Sequence, residues 1–236
     1  MDFYHDYREL ERRIIFEDNH ILVVNKAASE IVQGDKTGDT PMVEKYKEVL
    51  KQKYNKPGNV FLGIIHRLDR PTSGVIVFAK TSKSLTRLSE MIRNRKIRKI
   101  YWAITADPMP HREGELTHYM IKNEKKNKSV AHPYDREGAK KAVLRYRLKG
   151  ESDRYFLYEI ELVTGRHHQI RAQFSALGCP LKGDLKYGFH TSNKDGSIHL
   201  HARQILFEHP VRNDNIVLYA PVPKDNLWKY FEENFS

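Results

Sequence analysis

The chain has 236 residues, 39% hydrophobic and 30% charged, enough for a substantial core, and no apolar run approaches the length of a membrane span. Lysine and arginine outnumber aspartate and glutamate by 11 and the pI is near 9.5, so a polyanion is the expected partner, nucleic acid first. The single cysteine, Cys179, excludes an intrachain disulfide and a cysteine-based zinc site, and the polar N-terminal residues do not read as a signal peptide; the expected setting is the cytoplasm.

Residues 1–13 read as a polar lead-in and 14–236 as a single domain. Apolar runs at 14–16 and 21–24 flank Glu17-Asp18-Asn19-His20, a hairpin pattern. Thr40 is positioned to cap a helix with Pro41 at its first position and Val43, Tyr46 and Leu50 on its inner face. A polar loop over 51–59 precedes two short apolar runs, 60–65 and 75–79, both strand-like. A helix follows over 84–95, with Leu85, Leu88 and Ile92 as its apolar stripe. It ends in the basic cluster Arg93, Arg95, Lys96, Arg98 and Lys99.

Residues 100–105 read as a strand, 106–115 as a Pro/Gly connection and 122–141 as an exposed basic loop. Alternation over 142–148 and 155–163 predicts an antiparallel hairpin. A short helix over 167–177 buries Ile170, Phe174 and Leu177, leaves Arg171 on its other side and stops at Gly178. A loop over 182–197, strands at 198–207 and 216–220, and an amphipathic helix over 224–235 on Leu227, Trp228 and Phe231 complete the chain. Strands in runs with interspersed helices predict an α+β fold: a mixed, mostly antiparallel central sheet with flanking helices and long loops.

The most unusual stretch is His66-Arg67-Leu68-Asp69-Arg70-Pro71-Thr72-Ser73-Gly74, four chargeable groups between two apolar runs. Such groups are costly there unless they pair or act. One reading is a salt-bridged turn with Asp69 paired to Arg67 or Arg70; the other is a functional site, and both are open at this point. A protein-kinase loop is excluded, because Leu68 separates Arg67 from Asp69 and no Gly-rich phosphate loop or Asp-Phe-Gly exists. No Gly-x-Ser-x-Gly supports a serine hydrolase, and Cys179 has no activating signature. His167-His168 are adjacent and His199/His201 lack a carboxylate at motif spacing, so no metal site is expected. Three stretches remain, 66–74, 98–103 and 162–171, and they combine an aspartate, a strand tyrosine and several cations. That combination suits a nucleic acid whose base is taken out of its stack.

At these residues the chain resembles the RluA-type pseudouridine synthases. The stretch His66–Gly74 is similar to the signature of that family. Glu17-Asp18 with Leu22-Val23-Val24-Asn25-Lys26 resembles its N-terminal motif, and Lys99-Ile100-Tyr101-Trp102-Ala103 the segment carrying its tyrosine. Leu162-Val163-Thr164-Gly165-Arg166-His167-His168-Gln169-Ile170-Arg171 resembles its third motif, continued by 178–184 and Tyr187-Gly188. Departures are Ala27 in place of proline, Ser29 where glycine is common and Gln173 in place of a frequent histidine. Many relatives carry a small RNA-binding domain before the first motif; thirteen residues precede Ile14 here, so the catalytic domain is expected to recognise RNA itself.

The resemblance implies the pseudouridine synthase fold and an isomerase that detaches uracil from its ribose, rotates it and rejoins it through carbon, with no cofactor and no metal. It implies Asp69 as the essential residue, Arg171 as its cation and Tyr101 as the side chain packed on the flipped base. Whether Asp69 attacks the sugar, adds to the base or removes a sugar proton stays open; each route needs an ionised, desolvated carboxylate. Arg67 is expected to hold the gap left by the flipped nucleotide. Lys26, Arg166, His168 and Gln169 are expected to contact phosphate or support the site, and Arg95, Lys96 and Arg98 to face RNA. The expected partner is rRNA or tRNA, met by a monomer away from membranes. The alternative is an RNA-binding or RNA-folding protein of the same fold with little turnover; the presence of Asp69, Tyr101 and Arg171 together favours the enzyme.

Overall fold

The computed structural model of the chain describes residues 3–35 and 37–235; the ends of the expected lead-in and of the expected domain, residues 1, 2 and 236, lie outside the described residues. The element order is α1 (Phe3–Arg12), β1 (Ile14–Glu17), β2 (Ile21–Lys26), α2 (Met42–Lys53), β3 (Gly63–Ile64), β4 (Ser73–Ala79), α3 (Ser82–Arg93), β5 (Arg98–Thr105), β6 (Glu113–Asn123), β7 (Lys128–His132), β8 (Lys140–Glu151), β9 (Phe156–Leu162), α4 (Gln169–Ala176), β10 (Leu200–Glu208), β11 (Asn215–Tyr219) and α5 (Asn226–Phe235), with a single 3-10 turn at Leu185–Tyr187. The architecture is α+β, as the run of strands predicts: a mixed, mostly antiparallel sheet with flanking helices, in which β1–β2, β2–β4, β5–β9 and β8–β9 are antiparallel pairs. Two compact units divide the stretch read as one domain: Met1–Ile97 with Gln204–Pro221, and Arg98–Arg203 with Val222–Ser236.

In the first unit β2 pairs with β1 on one side and β4 on the other, and β3 adds to the end of β4. All seven residues of β4 are buried, which is why its sequence reads as an unbroken apolar run. The predicted strand at 60–65 shrinks to Gly63–Ile64. The register of β2 on β4 runs from Ile21 opposite Ala79 to Lys26 opposite Gly74. The lead-in is not merely polar: it forms α1, buries Leu10 and accepts a hydrogen bond from Tyr46 Oη of α2 on the Leu10 carbonyl (3.1 Å). Thr40 does not cap α2. Pro41 itself takes the N-cap position, without a side-chain cap, and the helix begins at Met42. Thr81 caps α3, its hydroxyl accepting from Ser84 N–H at 3.1 Å.

The second unit contains a strand order β5-β9-β8-β6-β7. The hairpin predicted from alternation is β8–β9, while the basic loop expected at 122–141 contains a strand. Its Lys128–His132 portion is β7, paired with β6 around a turn in which Asn127 takes φ 44. Of the eleven residues in β6 only His118 and Met120 are buried, so backbone ladder bonds hold a strand whose side chains carry almost no hydrophobic alternation. The helix α4 also departs from the amphipathic reading: Gln169 to Phe174 are all buried, Arg171 included.

Helix α5 lays Trp228 and Phe231 onto Trp102, Ile104 and Leu157. Asp225 caps it, Oδ1 accepting from Leu227 N–H (3.0 Å) and Trp228 N–H (3.2 Å), and the same oxygen faces His199 Nε2 at 3.2 Å. His199 stacks on Trp228, with centroids 5.2 Å apart. These bonds, the His199 one foremost, hold the Asp225 carboxyl down at about 2. Because the folded-state pKa is depressed, this stability is present above the unfolded value near 4 and is lost as pH falls through about 2. Asp225→Ala should therefore lower stability by about 1 kcal/mol at neutral pH, and the gap from wild type should close as denaturant melts are taken from pH 7 down to 2.

Candidate active site

The loop between β3 and β4 is built from backbone bonds before any charge acts. His66 Nε2 accepts from Val77 N–H of β4 at 3.1 Å, which makes this ring nitrogen an acceptor and gives the histidine a structural task. Leu68 is buried, and the Asp69 carbonyl accepts from Thr72 N–H at 3.0 Å, closing the turn. Gly74 takes φ 119, where a side chain would be strained, as the chain enters β4. Ser29 N–H donates to the Arg70 carbonyl at 2.8 Å; Ser29 itself stands at φ 73, the backbone region that favours glycine.

Lys26 holds this turn. It is 1% exposed, and its Nζ donates to the carbonyls of Thr72 (2.7 Å), Ala27 (3.0 Å) and Arg70 (3.1 Å). Burial pushes its pKa down to about 7, against the opposing pull of the Glu30 and Asp69 carboxylates. Of the two tasks expected for Lys26, contact with phosphate or support of the site, these bonds to backbone carbonyls give it the second, shaping the Asp69 turn. Of the arginines flanking Asp69, Arg70 reaches Asp39 (2.6 Å) and Thr37 (2.7 Å), with Asp35 at 3.5 Å, and the exposed Arg67 reaches Gln33 (3.3 Å). Arg95 and Lys96 are exposed in the same unit, beyond the end of α3.

Tyr101, Arg98 and the third motif lie in the second unit. Tyr101 is 6% exposed, in register with Ile160 of β9. Arg98 is exposed and pairs with Glu161 at 2.8 Å. In the turn from β9 to α4, Thr164 Oγ1 accepts from Val143 N–H (2.8 Å) and donates to Gln169 Oε1 (2.8 Å). Gln169 Oε1 also accepts from Arg166 N–H (3.0 Å), while its Nε2 donates to the Val143 carbonyl (3.1 Å). Gln169, expected to contact phosphate or support the site, is thus a buried brace. Arg166 is exposed, with Nε on the Lys141 carbonyl at 3.0 Å.

His168 is also inside rather than on the RNA-facing surface. It takes φ 53 at the head of α4 and its Nδ1 lies 3.0 Å from Tyr187 Oη. Burial, then the nearby Arg171 charge, pushes its pKa down to about 2, so the ring is neutral at physiological pH. Arg171, 4% exposed, forks onto Asp184, 1% exposed, with Nε at 2.6 Å and a terminal nitrogen at 2.8 Å, and its guanidinium lies 5.0 Å from the Tyr187 ring centre. Tyr187 Oη in turn accepts from Ser129 N–H (2.9 Å) and donates to the Ser129 carbonyl (3.1 Å). Asp184 and Tyr187 are the site residues that sequence reasoning left without a role. Their signal was there, in the segment quoted after the third motif, but no spacing rule ties them to Arg171.

Removing the Lys26 ammonium while keeping its bulk isolates the bracing role. Lys26→Met leaves carbonyls of Ala27, Arg70 and Thr72 without their donor, which costs about 1–3 kcal/mol. Chemical denaturation should show that loss, and hydrogen exchange should accelerate at the Thr72 and Ser29 amides, whose bonds close the same turn.

Residues 20–176 match the family model described as RNA pseudouridylate synthase. The chain is 31% identical over 223 residues to "Ribosomal large subunit pseudouridine synthase C" of Buchnera aphidicola subsp. Acyrthosiphon pisum, covering 92% of this chain and 69% of that protein. It is 32% identical over 226 residues to "Uncharacterized RNA pseudouridine synthase YhcT" of Bacillus subtilis, covering 93% and 71%. Among solved structures, "Human RNA Pseudouridylate Synthase Domain Containing 4" superposes with a TM-score of 0.80 over 100% of this chain and 99% of that one, at 23% identity, a likeness of fold. With the ordered motifs at Lys26, Asp69, Tyr101 and Arg171, the chain belongs to the RluA-type RNA pseudouridine synthase family.

Proposed function

We propose that this enzyme converts uridine to pseudouridine in large-subunit ribosomal RNA, with Asp69 as the residue on which the reaction turns. The observation that carries the assignment of Asp69 is its setting: an aspartate in the family signature, on a turn whose backbone is fixed by a buried lysine. Such fixation is what a reacting carboxylate needs, since its worth depends on being held in a productive geometry. The choice of ribosomal RNA follows the relative named for the large ribosomal subunit, at 31% identity; transfer RNA is the competing substrate.

The isomerisation breaks the bond between ribose C1′ and uracil N1 and forms one between C1′ and C5. The C5 hydrogen leaves as a proton and N1 gains one, so atoms and oxidation state balance without a cofactor. The target base is flipped from its stack to expose these atoms. Tyr101 packs against that base, and Arg171 is the cation the carboxylate requires, roles that rest on the resemblance of their motifs. Arg171 is suited to hold a fixed charge because Asp184 and Tyr187 restrict its rotation. Arg67, Arg95, Lys96, Arg98 and Arg166 are exposed and supply the basic surface for the RNA backbone. Lys26, His168 and Gln169 drop out of that surface. The enzyme works as a monomer in the cytoplasm.

Loss of the C5 hydrogen gives the assay. With large-subunit ribosomal RNA transcripts tritiated at C5 of uracil, the wild type should release tritium, and Asp69→Asn should reduce release by at least about a thousandfold while RNA affinity changes less than about threefold. Undiminished release by Asp69→Asn removes the residue from the chemistry, and release from transfer RNA transcripts alone moves the substrate.

A further inference from the structure

One cation in the second unit is placed unlike the others. Lys99, on β5, is half-buried, yet its Nζ makes no hydrogen bond and no ion pair among the described residues. Burial pushes its pKa below the usual lysine range, with no carboxylate opposing the shift. The adjacent Arg98 has found Glu161, and Lys182, also half-buried, has found Asn193 Oδ1 at 2.7 Å. A half-buried ammonium without an acceptor among the described residues is an expense the fold does not need, since a methionine of similar length would fill the same space.

The surroundings of Lys99 Nζ show where an acceptor can enter. A Cβ added to Gly165 would lie 3.4 Å from this nitrogen, and Gly165 is exposed. The ammonium therefore lies beside a surface glycine whose missing side chain leaves its flank open. The Gly165 N–H makes no hydrogen bond among the described residues, whereas its neighbours Thr164 and Arg166 both donate from their backbones. A cation and a free backbone N–H beside an exposed glycine is donor chemistry without an acceptor. On β5, Lys99 and Tyr101 are two residues apart and so share a face of the strand.

We propose that Lys99 Nζ and the Gly165 backbone form a phosphate-binding site for the RNA, on the same strand face as Tyr101. This rests on the RNA-modifying activity proposed above. The bound group is a phosphodiester of the substrate: it is small enough to approach past a glycine, carries acceptors for both donors and bears the charge that Lys99 lacks. Partial burial makes the contact stronger than one from a fully exposed lysine.

The test uses the full chain and large-subunit ribosomal RNA transcripts tritiated at C5 of uracil. Lys99→Met is expected to weaken RNA binding by about tenfold or more and to reduce the slope of log affinity against log salt by about one phosphate's worth. It should raise KM for tritium release and leave kcat within about twofold, because the contact is made equally in ground and transition states. Its melting temperature should equal or exceed wild type, and Lys99→Arg should recover most of the affinity. Wild-type affinity and salt slope in Lys99→Met overturn the site, as does a lowered melting temperature with unchanged affinity, which makes Lys99 structural. If the wild type binds the transcripts but releases no tritium, the proposed function fails while the binding and salt measurements still decide Lys99.

Discussion

Lys26 Nζ donates to the backbone carbonyls of Ala27, Arg70 and Thr72, the last two one and three residues after Asp69 in the turn. The bonds lie out of water, and the cost of burying this amine is offset only while they are made. This couples the end of β2 to the start of β4 more tightly than their ladder alone, at the register where Lys26 faces Gly74. The rest of the loop follows from that tie. Ser29 folds back onto the Arg70 carbonyl, and the Arg70 side chain turns outward to Asp39 and Thr37. Asp69 lies on this turn, with Arg67 reaching Gln33 and Arg70 reaching Asp39.

The third motif repeats the same economy with different groups. Thr164 and Gln169 consume each other's polar atoms and pin Val143 and Arg166. Tyr187 joins the backbone of Ser129, the ring of His168 and the face of Arg171 in one cluster. Asp184 then fixes the guanidinium by two bonds, a geometry in which neither partner can be removed without stranding the other's buried charge. In both motifs the polar residues that look most like ligand contacts are those that hold the backbone, and the group proposed to take part in the reaction is supported by them. Preorganisation of this kind lets a site act without reorganising at the moment of reaction.

The overall positive charge sorts accordingly. Arg67, Arg95, Lys96, Arg98 and Arg166 stay exposed, where their charge can act on a polyanion at a distance of a Debye length. Lys26 and Arg171 are buried and act only on their immediate neighbours. Lys99 lies between these classes, half-buried and without an acceptor for its ammonium among the described residues.

Much of this was legible in the residues themselves. The buried strand β4, the β1–β2 and β8–β9 hairpins and the amphipathic α3 and α5 announce themselves because each buries a side-chain pattern of the right period. Asp69 and the ordered motifs stood out because charge between apolar runs is costly and therefore informative. What the sequence could not decide was which polar atoms meet. β6 and β7 are held by backbone bonds that carry no side-chain signature, so a stretch of polar residues reads as loop. Lys26, His168 and Gln169 read equally as phosphate contacts or as supports of the site, because a lysine, a histidine and a glutamine look alike whether their polar atoms face solvent or a partner across the turn. Only the tertiary structure sets that partner, since the carbonyls of Arg70 and Thr72 come within reach of Lys26 through folding, from more than forty residues away along the chain.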